Sequence, residues 1–322
     1  MQFIFAPLEG VTTFLYRNAH RQFFSGIDRY YAPFVSPTST KRLTAKEMRD
    51  LLPENNRDIS LVPQVLTNNA EYLLFTAEKL RKMGYDAINL NLGCPSRTVV
   101  TKKKGSGFLS DPSMLYDFLQ SVFRRKQFPL SVKARIGVLD EAEYPKLLEI
   151  FRAFPFSEFI LHPRLQIDQY KNTPRMTAFD AALQDAPWPV VYNGDIFTER
   201  AFHAFYDAYP SVRSVMIGRG LIANPALVRQ LRGGDAFTKD ELYAFCERLF
   251  SEYTALYMGD ARNAMYRMKE LWFYMGTLFQ GAERLSKNIL KAAKPVEYAS
   301  AVDRLFLEKP FLPKSELGYH PR

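Results

Sequence analysis

The sequence predicts a (β/α)8 TIM barrel followed by a small C-terminal helical bundle, and three observations carry that expectation. Eight short β-rich runs recur along the first two thirds of the chain, each ending in a Pro, Gly or polar residue and each followed by helical periodicity. No GxGxxG follows the first run, which weighs against the alternative, a doubly wound dinucleotide-binding sheet. Beyond Gly233-Gly234 the alternation stops and only helical patterns remain, so the expected division is a barrel over residues 1–234 and a helical unit over 235–322.

The eight runs are 3–6, 29–32, 61–65, 87–91, 130–134, 158–161, 190–192 and 215–217, with helical stretches such as 69–83, 112–125, 143–154 and 199–209 between them. A barrel of this kind gathers its chemistry at the C-terminal ends of its strands. Pro7, Leu8 and Glu9 follow the first run, Gln64 closes the third, and Asn91 and Cys94 close the fourth. Lys133 and Arg135 end the fifth, His162-Pro163-Arg164 follows the sixth, Asn193-Gly194-Asp195 the seventh and Gly218-Arg219-Gly220 the eighth. Taken singly, a Gln or Asn at a strand end is a turn residue and a lone His is a core residue. Lys, His and Arg gathered on one rim exceed what turn chemistry requires. The glycines after the seventh and eighth runs let backbone N–H groups approach a phosphate, with Arg219 adding charge.

The most informative stretch is 89–107, NLNLGCPSRTVVTKKKGSG. A buried strand breaks at Gly93, and Cys94 stands at its end before Pro95, which continues neither a ladder nor a helix interior. The loop that follows carries Arg97, Lys102, Lys103 and Lys104 and closes on Gly105-Ser106-Gly107, whose glycines can act as hinges or approach a ligand closely. It reads as a segment built to close over something anionic. Because free cysteine is among the most buried residue types, an inert core thiol is the alternative for Cys94.

The chain has 322 residues, a net charge of +9 and a pI near 9.3, which directs attention to a polyanionic partner. Its two cysteines, Cys94 and Cys246, show no metal-ligand spacing, so neither a disulfide scaffold nor a metal site is expected. The N-terminal MQFIFAPLEG has no basic leader and no run approaches a membrane span, so a cytoplasmic protein is expected. In the C-terminal region, patterns over 238–258, 262–280, 283–293 and 297–307 read as helices. Arg284, Lys287, Lys291 and Lys294 recur there at spacings of three and four, forming one basic stripe that is either a solvated face or a surface for a phosphate backbone.

Taken in order, Ala6-Pro7-Leu8-Glu9-Gly10-Val11-Thr12, Pro63-Gln64, Asn91-Leu92-Gly93-Cys94-Pro95 and Lys104-Gly105-Ser106-Gly107 form the first half of a pattern. Val132-Lys133-Ala134-Arg135, His162-Pro163-Arg164, Asn193-Gly194-Asp195-Ile196, Met216-Ile217-Gly218-Arg219-Gly220 and Asn224-Pro225 complete it. The ordered set resembles the tRNA-dihydrouridine synthase family. The resemblance implies an FMN enzyme that reduces the C5=C6 bond of uridine in tRNA with NADPH as reductant; a monomer is expected, since engaging one RNA needs no partner subunit. It implies that Pro7, Leu8 and Glu9 line the flavin, that Gln64 and Lys133 bind its polar edge, and that Asn193, Gly194, Asp195, Gly218 and Arg219 hold its phosphate end. His162 is then near both flavin and substrate, Asn91 and Arg164 are on the substrate side, Lys287 and Lys291 contact RNA, and Cys94 is the proton donor. The chain departs from the family pattern at Thr13 and Leu165, where Asp and Thr are common, and at Leu8, a volume-conserving replacement of Met.

The residue types agree with that chemistry. Hydride added at C6 of uracil demands a proton at C5, and a thiol of ordinary pKa near 8.5 is mostly protonated at neutral pH. A lysine at the flavin's polar edge stabilises negative charge on the reduced cofactor. A barrel reductase of a free pyrimidine or another small enone would share the flavin site and even the cysteine. The helical bundle and the +9 charge favour RNA, and intact Cys94 and Lys133 argue against an RNA-binding module without catalysis.

Overall fold

The computed structural model describes residues 1–40 and 42–312; positions 313–322, the end of the expected bundle, lie outside the described residues. The strands are β1 (Gln2–Phe5), β2 (Arg29–Tyr31), β3 (Leu61–Val62), β4 (Gln64–Val65), β5 (Ile88–Leu92), β6 (Leu130–Gly137), β7 (Phe159–Leu165), β8 (Val190–Tyr192) and β9 (Ser214–Ile217). All neighbouring pairs are parallel, in the order β3-β2-β1-β9-β8-β7-β6-β5-β4.

The two ends of that order are the two halves of one extended segment. β3 pairs with β2, through Tyr30 and Leu61, while β4 pairs with β5, through Gln64 and Asn89. Pro63 stands between them and has no N–H to give a ladder, so the expected run 61–65 divides into two strands. Its carbonyl still accepts from the Asn89 amide at 3.0 Å, and the sheet closes on itself. Inside the barrel, Ile4, Ala6, Tyr31, Val62, Ile160, Val191 and Met216 form a compact apolar plug. At its foot, buried Glu158 accepts from Tyr31 Oη at 2.9 Å and Arg29 Nη2 at 2.6 Å, so this carboxylate is paired rather than stranded in the core.

Outer helices start where the sequence places caps. Asn69 accepts from the Tyr72 amide at the head of Ala70–Lys82, Asp111 caps Pro112–Phe123 with proline at its first position, and Thr198 caps Glu199–Ala208. The expected runs 130–134 and 158–161 both end later than the sequence predicts, because β6 continues to Gly137 and β7 to Leu165, with a register shift between Arg135 and Gly137. Lys133, Arg135, His162 and Arg164 therefore sit within strands, held by ladder hydrogen bonds rather than by loops.

After Gly234 come the helices Lys239–Leu256, Ala261–Met275, Glu283–Lys291 and Pro295–Glu308. Phe245 wedges among Tyr16, Phe23 and Phe24 of the first barrel helix and its end, with ring centroids 5.7, 5.8 and 5.1 Å away. Trp272 donates to Tyr298 Oη at 2.8 Å and ties the second helix to the last. This packing sets the C-terminal helices beside the barrel mouth, where Tyr274 reaches the cleft. Among the described residues no helix is long and apolar enough to cross a membrane.

Candidate active site

A chain of buried amides forms the floor of the cleft. Gln64 Nε2 donates to Asn89 Oδ1 at 2.7 Å, Asn89 Nδ2 donates to Ser131 Oγ at 2.8 Å, and Asn91 Nδ2 donates to Gln64 Oε1 at 2.6 Å. Four neighbouring positions on β4, β5 and β6 are thus fixed by mutual hydrogen bonds. A fully satisfied buried polar network of this kind admits one arrangement of its members.

That network reaches the cysteine. Asn91 Oδ1 accepts from the amides of Gly93 at 3.0 Å and Cys94 at 2.9 Å, so the side chain expected to face substrate also holds the turn that aims the thiol. From the other side, the Ser106 amide and hydroxyl both donate to the Cys94 carbonyl, at 3.1 and 2.9 Å. Gly105 and Gly107 are buried, and a Cβ would meet the Cys94 carbonyl at 2.7 Å in the first case and Val100 Cα at 2.8 Å in the second. Close packing, not hinge freedom, requires these glycines. The loop from Cys94 to Gly105 contains a helical turn, Arg97–Val100, and Arg97 lines the cleft. Cys94 is half-buried in the wall, and burial raises its thiol pKa above the ordinary value, keeping the proton on sulfur at neutral pH.

Cations gather on the next strand, where Lys133 pairs in register with Asn91. Burial, with Arg135 adding to it, lowers the Lys133 ammonium from 10.5 to about 7. Its Nζ has no hydrogen-bond or ion-pair partner among the described residues. Arg135 donates to three carbonyls, of Gly93, Leu165 and Gln169, at 2.9, 2.7 and 2.6 Å, which staples the cysteine turn to the loop after β7. Arg164 Nη1 lies 3.1 Å from His162 Nε2. Since a guanidinium only donates, Nε2 must accept, and the imidazole proton is on Nδ1. Burial and the surrounding arginines lower the His162 pKa well below 6.5, which agrees with the neutral ring that geometry requires.

The structure brings Pro7, Leu8, Glu9, Gln64, Asn91, Cys94, Lys133, His162, Asn193, Gly194, Gly218 and Arg219 to one cleft, as the sequence predicts. Asp195 and Arg164 stand behind it instead. Arg164 is wholly buried, bonding to Asp195 and to the carbonyls of Lys171 and Asn172, while Asp195 also accepts from Arg219 Nη2 at 2.8 Å. The two residues hold His162 and Arg219 in place and do not reach the cleft. Asn193 lines the cleft while its Nδ2 donates to Met216 O at 2.7 Å, bracing β8 against β9. At Gly194 a Cβ would fall 1.9 Å from the Tyr192 hydroxyl, and at Gly220 it would fall 2.0 Å from the Ile196 carbonyl, so only glycine fits either turn. Lys287 and Lys291 are exposed with Arg284 on Glu283–Lys291, outside the cleft; Lys294, also exposed, is the N-cap residue of the next helix, so the expected stripe of four keeps three members on one helix.

Tyr170 is a cleft residue that the sequence does not announce. It stacks on His162, with centroids 6.2 Å apart, and lies beneath the Arg219 and Arg135 guanidinium groups at 4.5 and 5.6 Å. Its segment is irregular, with Gln169 at φ 51° and Asn172 at φ 58°, and carries neither strand nor helix period.

The profile of the family described as dihydrouridine synthase (Dus) matches residues 4–307. The chain belongs to the dihydrouridine synthase family. Among its relatives, tRNA-dihydrouridine synthase B of Shewanella oneidensis is 26% identical over 95% of this chain and 96% of its own length. A tRNA-dihydrouridine(16) synthase of Neisseria meningitidis is 25% identical over 85% of each chain. Solved structures with the same barrel include morphinone reductase, with TM-score 0.51 at 13% identity over 73% of this chain and 86% of that one. Histamine dehydrogenase from Rhizobium sp. 4-9 aligns with TM-score 0.54 at 10% identity over 72% of this chain and 45% of its own. As a member of this family, the chain is a flavin-dependent oxidoreductase.

A half-buried lysine whose pKa is lowered to about 7 leaves a signature in stability. Between pH 7 and about 10.5 the unfolded chain holds a proton that the folded Lys133 has released, so folding gains from rising pH in that window. Below pH 7 both states are protonated and the cost of burying the charge is fully present. In flavin-free protein, Lys133→Met therefore melts higher than wild type at pH 6, and the gap narrows as pH rises towards 10. A gap that does not change with pH contradicts a Lys133 whose pKa is lowered in the fold.

Proposed function

We propose that this cleft reduces the C5=C6 bond of a uridine in tRNA, with FMN as the cofactor and NADPH as its reductant. The single observation that carries the reading is a thiol held in the cleft wall by Asn91 and Ser106, in one cleft with Lys133 and His162. Family membership and the names of the relatives support the reaction and the RNA.

The residues present fit a flavin mononucleotide. Lys133 Nζ, without a partner among the described residues, and the Nδ1–H of His162 are donors suited to its polar edge, and Gln64 adds a side-chain amide. Gly194 and Gly218 leave the backbone open beside Arg219, a donor set suited to the phosphate. Pro7, Leu8 and Glu9 contribute the wall after β1, and Asp195 acts by positioning Arg219. When bound, the flavin supplies the hydride for C6 of the uracil.

The remaining work belongs to the chain. Cys94 gives its proton to C5, and burial keeps that proton on sulfur until it is needed. Lys133, its pKa lowered to about 7 by burial, takes up a proton when an anion lies against it, and so stabilises negative charge where it accumulates. Asn91 offers its second amide proton to substrate, the first being used on Gln64. Tyr170 gives a ring face at the cleft edge, and Arg164 positions His162. A stacked uridine has to be drawn out of the RNA to reach this depth, at a cost of about a few kcal/mol, which the exposed Lys287 and Lys291 offset by gripping the phosphate backbone. The helices of 235–312 form the RNA-binding unit in this reading, and one RNA needs one monomer.

A reductase of free pyrimidines would use the same cleft; it has no use for the exposed basic stripe. Cys94→Ala is expected to retain FMN and to lose turnover on tRNA by about 10²–10⁴-fold, measured as dihydrouridine formed per enzyme. Full turnover by that variant removes Cys94 from the proton-donor role. Lys287→Glu with Lys291→Glu is expected to weaken tRNA binding at least about tenfold at low salt while NADPH oxidation without RNA is unchanged. An unchanged tRNA affinity makes the stripe a solvated face.

A further inference from the structure

A second pocket adjoins the cleft and shares Glu9, Pro33 and Phe34 with it. We infer that this pocket takes the nucleotide immediately next to the target uridine in the RNA strand, an assignment that rests on the tRNA reading above. Its far wall comes from the helices Phe14–Phe23, Lys239–Leu256 and Ala261–Met275, so it lies at the seam between barrel and C-terminal helices.

The lining suits a base with a phosphate at its edge. Phe14, Phe34, Tyr253 and Tyr257 contribute aromatic surface. The two hydroxyls carry polar atoms into it: Tyr253 Oη is 3.4 Å from Thr13 Oγ1, and Tyr257 Oη accepts from Arg267 Nε at 3.1 Å. Two carboxylates in the lining are committed to local structure. Glu47 accepts from the Ser36 and Thr44 amides at 2.8 and 2.7 Å, and Asp50 accepts from the Phe14 amide at 2.6 Å and Arg17 Nη1 at 3.1 Å. The cations are committed to different degrees, and Arg267 Nη1 also lies 3.3 Å from Glu270 Oε1. Lys46 is exposed beside Glu9, at 3.6 Å, and the exposed Arg49 guanidinium has no partner among the described residues.

Drawing a uridine out of its stack strips its neighbour of a stacking partner. Two openings with a common wall accept adjacent bases, and aromatic rings in the second replace the stack lost by the neighbour. Lys46, Arg49 and Arg267 then face the intervening phosphate. Continuity with the uridine cleft favours an RNA nucleotide over other ligands that combine a ring with phosphates, the distal half of the nicotinamide reductant among them.

The test uses the holoenzyme and a tRNA transcript in which its uridine has been mapped, rebuilt with an abasic residue on the 5′ or the 3′ side of that uridine. One of the two abasic transcripts is expected to lose kcat/KM by about tenfold. Tyr257→Ala is expected to lose a similar factor on the intact transcript but less than about twofold more on that abasic one, because both changes remove the same contact. Arg49→Glu, on the surface, is expected to raise KM for the intact transcript without disturbing the fold, and neither variant changes NADPH oxidation without RNA. Conversion of both abasic transcripts within about twofold of the intact one, or losses from Tyr257→Ala and the abasic site that multiply, overturns the assignment. A raised KM for NADPH in the absence of RNA overturns it in favour of the reductant. If the wild-type enzyme converts no uridine in the intact transcript, the RNA reading itself is refuted and the pocket assignment with it; the other outcomes refute the pocket alone.

Discussion

Positive charge is concentrated under the barrel mouth, and most of the site follows from how it is accommodated. Lys133, Arg135, Arg164 and Arg219 lie within one shell around His162. Asp195 bridges Arg164 and Arg219, and Arg135 spends its donors on three backbone carbonyls. Lys133 is left facing the cleft, its proton held loosely by burial and by its neighbours. Burial, with this field adding to it, keeps His162 neutral, and the field makes the cleft a place where an anion is stabilised without any rearrangement of the protein. Burying unpaired charge opposes folding, so a ligand that supplies the missing negative charge stabilises the protein as it binds.

The thiol side answers to hydrogen bonds rather than to charge. Cys94 is aimed by two clamps, the Asn91 side chain within the amide chain of β4 and β5 and Ser106 at the far end of its own loop. Arg135 joins the halves, since the carbonyl of Gly93 and those of Leu165 and Gln169 share one guanidinium. A proton donor and a cationic wall fixed to each other in this way keep their separation when substrate enters, which is what positioning requires of a catalytic group.

Much of this was legible in the sequence, for physical reasons. Short apolar runs alternating with helical periods follow from strands buried on both faces, and they located every barrel strand. Pro63 marked a break in the ladder that pattern reading merged into one run. The extents of β6 and β7 were hidden because Lys133, Arg135, His162 and Arg164 are polar residues inside strands, where period and polarity conflict. Spacing put Arg164 and Asp195 at the right rim but could not say which way they point; their mutual ion pair turns both away from the cleft. Gly105 and Gly107 read as hinges because a glycine's sequence signature is the same whether it supplies freedom or close packing. Tyr170 lay in a segment with no period at all, and only the tertiary fold brings it against His162.

The most direct measurement is position-mapped nucleoside mass spectrometry of tRNA from cells with and without the gene for this chain, and with the gene restored. The account predicts that dihydrouridine is lost at a defined tRNA position in the deletion and returns with the wild-type chain. Unchanged dihydrouridine at every tRNA position contradicts it, and would leave a flavin barrel whose substrate is a smaller molecule.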